Sequence, residues 1–442
     1  MYKYVAKRSR CKINIYFWGL INSTMSRSFL DRYDFDNKSK IERKNHMYKV
    51  RLVKALVSNN GMTNASICKH LKISAPKTLE LINSLADAGI LEQNEKGSSI
   101  GGRKPILNKL KSNTFFILCV EVELFRVKMT IVDNTGHFVY SQVSSFKLTK
   151  DWSSALELAQ LLTDFVQSSD ITLSSILAIG ISMPGLINNN NGRNHTYMMS
   201  DSGQESLQHF FSAQFGKPTF IINDVKSATI AELKFGLAKG KKDVLVILMD
   251  WGIGLGIVMD GQLRNGAAGF SGEVGHIPFV EDGTLCYCGK RGCLETVASG
   301  VALVRMAREG IRSGENSLLN ELPANEIEDI EPHQVIKAAN QGDQYAISLL
   351  SFIGEKLGKG VATLVQLFNP ELIILSGKIA EANQYITIPI QQAINTFCMT
   401  QLKNMAVVEL SRLGADAGAK GVAHIAFESY FDSIITSMEA QA

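Results

Sequence analysis

At 442 residues, with 45% hydrophobic and 20% charged side chains, the chain is long enough for two or three domains with sizeable cores, which excludes a disordered or disulfide-stapled class. No apolar run approaches the roughly 20 residues of a membrane-spanning helix, so no transmembrane segment is expected. The net charge of +4 hides an asymmetry, 22 Lys and Arg against 8 Asp and Glu in residues 1–112 but 24 against 34 in the remainder, and such a basic head on an acidic body is expected to bring the head alone to a polyanion.

Residues 1–46 read as a poorly ordered extension, with Met25 and Met47 as alternative starts. The short apolar run Ile13 to Ile21 follows basic residues in the manner of a secretory signal, but no small-residue cleavage site follows it. From Met47 the pattern is helical, with Val50, Val53, Ala55, Leu56 and Val57 on one face and a stop at Asn59-Asn60-Gly61. A second helix starts at Thr63 or Asn64 and carries Ile67, Cys68 and Leu71. After Lys72-Ile73, Ser74 is expected to cap a third helix with Pro76 in its first turn and Leu79, Ile82, Leu85 and Ala86 inward, ending at Gly89. Residues 47–111 thus describe a helix-turn-helix that presents Ser74, Ala75, Lys77 and Thr78 to a major groove. Ile90 to Glu92, a glycine-rich tip and a return strand complete a wing. In that tip Gly101 and Gly102 allow close backbone approach, and Arg103 and Lys104 reach phosphates or the minor groove. The plainer alternative is a helical protein-interaction module with a solvated basic loop.

Residues 112–442 alternate strands and helices. Phe115 to Val120, Lys128 to Val132 and Phe138 to Tyr140 read as strands, followed by a helix from Ala155 to Val166 capped by Ser153 or Ser154, and strands at Leu177 to Ile181 and Thr219 to Ile222. A second lobe repeats the theme with strands at Val244 to Met249, Gly256 to Met259 and Leu372 to Leu375, and helices at Val301 to Arg308 and Tyr345 to Leu367. A cleft between two α/β lobes suits a small ligand.

His276, Cys286, Cys288 and Cys293 offer one imidazole and three thiolates, the ligand set of a closed, structural zinc site, one per chain, with Gly289 and Gly292 where the knuckle turns. The cysteines at 11, 68, 119 and 398 lie among apolar neighbours and read as free thiols of a reducing cytoplasm.

The stretch G-E-V-G-H with C-Y-C-G-K-R-G-C-L-E, and the wing S-S-I-G-G-R-K-P, resemble the ROK family of bacterial sugar kinases and sugar-responsive repressors from about residue 47 to the end. The similarity is closer to the xylose and N-acetylglucosamine repressors than to any kinase. The resemblance implies an α/β fold: an N-terminal winged helix-turn-helix plus a two-lobe actin-like, ribonuclease-H-like ROK domain. Lobe 1 would span about 112–225 plus a C-terminal helix at about 422–440, and lobe 2 about 226–421. It also implies sugar contacts from Asn223, Asp224, Glu273, His276 and Glu295, with Asp224 at the place of the kinase general base. One ring nitrogen of His276 would face the zinc and the other a sugar hydroxyl.

The kinase pattern D-x-G-G-T-K is lost: Val120-Glu121-Val122-Glu123-Leu124-Phe125 stands there, with no glycine cradle for phosphates. A second phosphate loop survives in part as Trp251 to Gly256, and the adenosine turn Ser376-Gly377-Lys378 has lost glycines. Between Pro184 and Asp224 a run beginning Asn188-Asn189-Asn190-Asn191 replaces the family's run toward a tryptophan, at a place that tends to contact the sugar. The expectation is a non-enzymatic repressor of carbohydrate metabolism. Its partners would be a double-stranded DNA operator, a monosaccharide or sugar-phosphate effector, and itself as a homodimer or tetramer. The alternatives are an ATP-dependent sugar kinase with a DNA-binding appendage, and a repressor controlled by a partner protein.

Overall fold

A computed structural model of the chain describes residues 39–59, 61–94, 106–200, 205–323, 327–403 and 406–440. Helix α1 (Lys40–Ser58) begins well ahead of Met47. Its start is a capping box: the Glu42 amide donates to the Ser39 hydroxyl at 3.3 Å, and the Ser39 amide donates to the Glu42 carboxylate at 2.8 Å. This reciprocal pair satisfies donors that a helix end otherwise orphans. The expected extension of residues 1–46 is therefore overturned from Ser39 on, and its earlier part, with Cys11, lies outside the described residues.

Helix α2 (Asn64–Leu71) starts at Thr63, whose hydroxyl accepts from the Ser66 amide at 3.2 Å. Helix α3 (Ala75–Asp87) starts at Ser74, but the Ser74 hydroxyl makes no cap bond. Strands β1 (Met62–Thr63), β2 (Leu91–Asn94) and β3 (Leu107–Leu110) pair antiparallel in the order β1-β3-β2. The tip between β2 and β3, with Gly101, Gly102, Arg103 and Lys104, lies outside the described residues. On α3, Thr78, Leu81, Ile82 and Leu85 face inward, while Leu79 is 48% exposed, which corrects the expected stripe. Thr78 takes the inward position because its hydroxyl is satisfied there, donating to the Ser74 carbonyl at 3.1 Å and lying 3.1 Å from the Cys68 sulfur.

The body holds two five-stranded sheets. The first uses β4 (Phe116–Val122), β5 (Arg126–Asp133), β6 (Phe138–Ser145), β7 (Ile176–Met183) and β10 (Thr219–Asn223), in the order β10-β7-β4-β5-β6. The small hairpin β8 (Ile187–Asn188) and β9 (Arg193–Asn194) stands apart. The second sheet uses β11 (Val244–Met249), β12 (Ile253–Met259), β13 (Gln262–Leu263), β14 (Leu372–Ser376) and β15 (Val407–Leu410), in the order β13-β12-β11-β14-β15. In both, the first three strands form an antiparallel meander and the last two run parallel to the first. The repeat read from sequence is thus a repeat of topology.

Helices α4 (Ser153–Ser168) and α5 (Leu207–Phe215) cover the first sheet over a core that includes Leu118, Ile179, Leu162 and Phe211. Trp152, not Ser153 or Ser154, is the residue before α4, because the Ser154 hydroxyl is held by Thr149 and Asp151. Helix α6 (Asp224–Phe235) lies beside β12. Helices α7 (Glu295–Ala298), α8 (Gly300–Ser313), α9 (Pro332–Asn340), α10 (Gln344–Phe368), α11 (Gln384–Phe397) and α12 (Thr400–Lys403) belong to the second lobe, whose core joins Leu303, Val335, Ile353 and Ile390 to the sheet.

The last helix, α13 (Ala417–Ala440), returns to the first lobe and packs on β4, β7, α6 and α1. One continuous apolar cluster runs from Val50, Leu52 and Leu56 of the head through Phe115 and Ile117 to Val422, Phe427 and Phe431. Phe115 meets Phe427 and Phe431 edge-on, at 6.0 and 6.3 Å between ring centres. Lys54 pairs with Glu428 at 3.0 Å and Asp432 at 2.5 Å, and Arg51 with Glu439 at 2.6 Å. Exposed pairs contribute about 0–1 kcal/mol each, whereas each fully buried Leu or Phe contributes about 1.5–3 kcal/mol. The apolar seam, more than the ion pairs, fixes head to body.

Candidate functional site

The carboxyl ends of the parallel strands from both sheets open on one cleft of about 1470 Å³, the usual ligand position of open α/β sheets. Asn223 ends β10 and caps α6. Its Oδ1 accepts from the Lys226 amide at 3.3 Å, and its Nδ2 donates to the Gly185 carbonyl at 3.2 Å. Asp224 follows in the first turn of α6, where the helix N-terminus favours negative charge, and its Oδ1 accepts from the Val225 amide at 2.8 Å. Burial nevertheless pushes its carboxyl up to about 6.

Glu295 opens α7 and is buried. Its Oε2 accepts from the Ile253 amide at 3.2 Å, leaving the other oxygen for the cleft. Burial pushes this carboxyl up to about 7 despite that bond, with Glu273 and Asp224 adding to the rise. Glu273 also lines the cleft, and its enclosure with the nearby Asp224 raises it to about 7. Asn223, Asp224, Glu273, His276 and Glu295, drawn from both lobes, line this one cleft.

The ligand atoms of His276, Cys286, Cys288 and Cys293 lie within 4.8 Å of one another. His276 Nδ1 is 3.5 Å from the Cys286 sulfur, and the Cys288 and Cys293 sulfurs are 3.6 Å apart. Tetrahedral coordination with metal–sulfur bonds of about 2.3 Å needs sulfur–sulfur edges near 3.8 Å, so the donor set fits a metal ion. The knuckle is a tight hairpin, in which the Cys286 amide donates to the Lys290 carbonyl at 2.8 Å and Pro278 bridges to Cys293. Gly292 takes φ 69°, and a Cβ there would lie 2.9 Å from the Val280 carbonyl carbon. Only glycine serves at that crossing.

The second ring nitrogen of His276 is 2.9 Å from the Tyr287 hydroxyl, not open to the cleft as expected. Sequence reasoning missed Tyr287, whose only signal was its place between Cys286 and Cys288. Tyr197 was missed too; it lines the cleft from the stretch after Pro184, where burial and the charges of Glu295 and Asp224 push its phenol up to about 12.

Where a kinase cradle of glycines would lie, charged and aromatic side chains join the lobes. Glu123 pairs with Lys378 of the second lobe and with Arg126 at 2.7 Å, and Arg126 reaches Glu331 at 3.5 Å. Burial alone would raise Glu123, but Lys378 and Arg126 hold its carboxyl below the usual range. Phe125 meets Trp251 edge-on at 5.0 Å. The Lys378 amide donates to Asp250 at 2.9 Å, and burial lifts Asp250 to about 6 against the pull of Lys378. Gly254 and Gly256 prove to be packing residues of β12: a Cβ on them would come within 2.9 Å of Val225 and 2.8 Å of Thr229 on α6. Trp251, Gly252, Ile253 and Gly254 of the partly surviving phosphate loop nevertheless line the cleft.

On α3, Ser74 and Ala75 are exposed, and Lys77 is half-buried beside Glu80, 2.6 Å away. Thr78 is fully buried and cannot meet a groove, a correction to its expected role.

Residues 117–429 match the sequence model of the ROK family. The xylose repressor of Caldicellulosiruptor bescii is 26% identical over 370 residues, covering 83% of this chain and 91% of that protein. Among solved structures, a ROK family transcriptional regulator described as a homolog of the E. coli MLC protein covers 90% of this chain and 100% of its own, with TM-score 0.71 at 24% identity. A ROK family glucokinase from Streptomyces griseus, solved with glucose and AMPPNP, covers 71% and 99%, with TM-score 0.63 at 27% identity.

Proposed function

The chain belongs to the ROK family, and from that premise we propose that it is a cytoplasmic, DNA-binding transcriptional repressor of carbohydrate-metabolism genes, controlled by a sugar in the cleft. One observation carries this reading: the glycine cradle of the kinase pattern is replaced by Glu123, Arg126 and Phe125, which contact Lys378 and Trp251 across the cleft, while a winged helix shares its core with the first lobe. Phosphoryl transfer rests on positioning and neutralising phosphates, and Val120 to Phe125 offer no glycine cradle for them. The protein is a regulator, not an enzyme. The name of its xylose-repressor relative supports the same conclusion.

Asp224, Glu273 and Glu295 accept hydrogen bonds from sugar hydroxyls, and Asn223 orients the α6 terminus that carries Asp224. His276 Nδ1, Cys286, Cys288 and Cys293 hold one structural zinc ion, which supplies a fixed crosslink beside the cleft and no chemistry. The Tyr287 hydroxyl sets the orientation of the His276 ring. A sugar touching Asp224 from one lobe and Glu273 and Glu295 from the other favours one arrangement of the lobes, which is all that coupling requires. The head moves with α1, α13 and α6, and two heads on a two-fold axis read a palindromic operator as a homodimer.

Gel-shift titration with the DNA upstream of its own gene, across a salt series, tests the reading. Specific binding that weakens steeply with salt is expected. Absence of specific binding at any salt concentration would refute it.

A further inference from the structure

Resting on the sugar-effector reading, we infer that the effector is an uncharged monosaccharide and that the cleft rejects its phosphate ester. The arginines of the cleft, with Lys378 and Lys128, are already paired with acids, and Lys226 is held by a carbonyl. Lys378 and Arg126 are clasped by Glu123, with Arg126 also reaching Glu331 at 3.5 Å. Lys128 lies 3.7 Å from Glu121 and 3.6 Å from Asp416 and donates to the Ala415 carbonyl at 3.0 Å. The Lys226 ammonium is turned to the Gly269 carbonyl. Arg305 is held by Glu309 at 3.2 Å and by the Thr296 carbonyl at 3.3 Å. Lys150 stands exposed at the rim.

Asp224, Asp250, Glu273 and Glu295 line the same cavity, and among the described residues none of them has a cation within ion-pair distance. Glu295 is the telling member. It is 8% exposed, one oxygen is satisfied by a backbone amide, and the other is left to a ligand, for which a hydroxyl, able both to donate and to accept, is suited. A sugar hydroxyl donates; a phosphate dianion in its place does not, and it would face four acidic groups where the cations without an acidic partner are Lys226, turned to a backbone carbonyl, and Lys150 at the rim. A charge pair at about 8 Å under an effective dielectric near 20 makes the ester weaker by on the order of tenfold to a hundredfold.

The test is calorimetric titration of the full-length, zinc-replete protein with glucose, mannose and N-acetylglucosamine, each against its 6-phosphate, and with xylose. At least one uncharged sugar is expected to bind, with any 6-phosphate at least about tenfold weaker. The variant Glu123→Gln, which frees Arg126 and Lys378, is expected to narrow that gap. Tighter binding of a 6-phosphate than of its parent sugar overturns this inference alone, as does an unchanged gap in Glu123→Gln. Silence from every sugar, beside intact operator binding, overturns the sugar-effector reading with it.

Discussion

Replacing Gly421 by alanine probes the contact between α13 and α6. A Cβ on Gly421 would overlap the Ser227 carbonyl oxygen and lie 2.7 Å from its carbon, where ordinary contact begins at 3.4 Å. Relieving the carbon contact alone takes roughly 0.7 Å, the difference of those distances, and the nearer oxygen takes more. The two helices would therefore have to part by roughly 1 Å, because backbone cannot swing aside as a side chain can. Overpacking of this kind costs about 1–3 kcal/mol, set against a gain of about 1 kcal/mol in helix propensity for alanine over glycine. The overlap is with backbone, so the upper half of that range applies, and Gly421→Ala is expected to lose about 1–2 kcal/mol net. Urea unfolding followed by tryptophan fluorescence measures the loss, and gel shift measures operator affinity in parallel. If α6 passes the state of the cleft to the head, the variant also shifts the sugar concentration that half-releases DNA. Equal or greater stability in Gly421→Ala, with an unchanged release curve, would refute both the tight α6–α13 seam and its place in coupling.

Thr78→Val is expected to lower stability by about 1 kcal/mol through loss of a buried hydrogen bond while leaving operator preference intact; Lys77→Ala should do the reverse, and gel shifts against mutated operators separate the two. Cys293→Ser is expected to reduce metal content below one zinc per chain and to lower the thermal midpoint, as metal analysis and calorimetry would report. Glu121, half-buried near the end of β4 with Lys128 3.7 Å away, has its carboxyl raised by desolvation to about 7 from 4.5. The folded chain therefore holds that proton more tightly than the unfolded one. Its contribution is full below pH 4.5 and is lost as pH rises through 7, by about 3 kcal/mol at most, so Glu121→Gln should flatten the fall of urea-unfolding free energy between pH 5 and 8. Coupled ADP-release assays across common hexoses should show no turnover, and turnover of about 1 per second would restore the kinase reading.

Strand positions and the metal cluster were legible because each rests on a local pattern: apolar runs such as Ile176–Met183, and four soft ligands within 18 residues, His276 to Cys293. The first two turns of α1 were not, since Lys40 to His46 is nearly all polar and its one signal is the Ser39-Glu42 spacing. The α3 stripe was misread by one position because a threonine with a satisfied hydroxyl occupies a core site that periodicity reserves for apolar residues. The loss of the phosphate cradle was visible in Val120 to Phe125. What fills it was not, because Phe125 with Trp251 and Glu123 with Lys378 join positions 126 and 255 residues apart.

The seam of α1 with α13 bears on how such a protein can be recombined. Its reading head ends in sequence near residue 111, yet Leu52 and Leu56 share their core with Phe427 and Phe431 at the other end of the chain. A graft of the first 111 residues onto a foreign body would expose that apolar stripe and leave the two cations of the ion-pair ladder, Arg51 and Lys54, unmet. A working chimera must carry the last helix along with the head, so the unit of exchange is a pair of chain termini and not a segment.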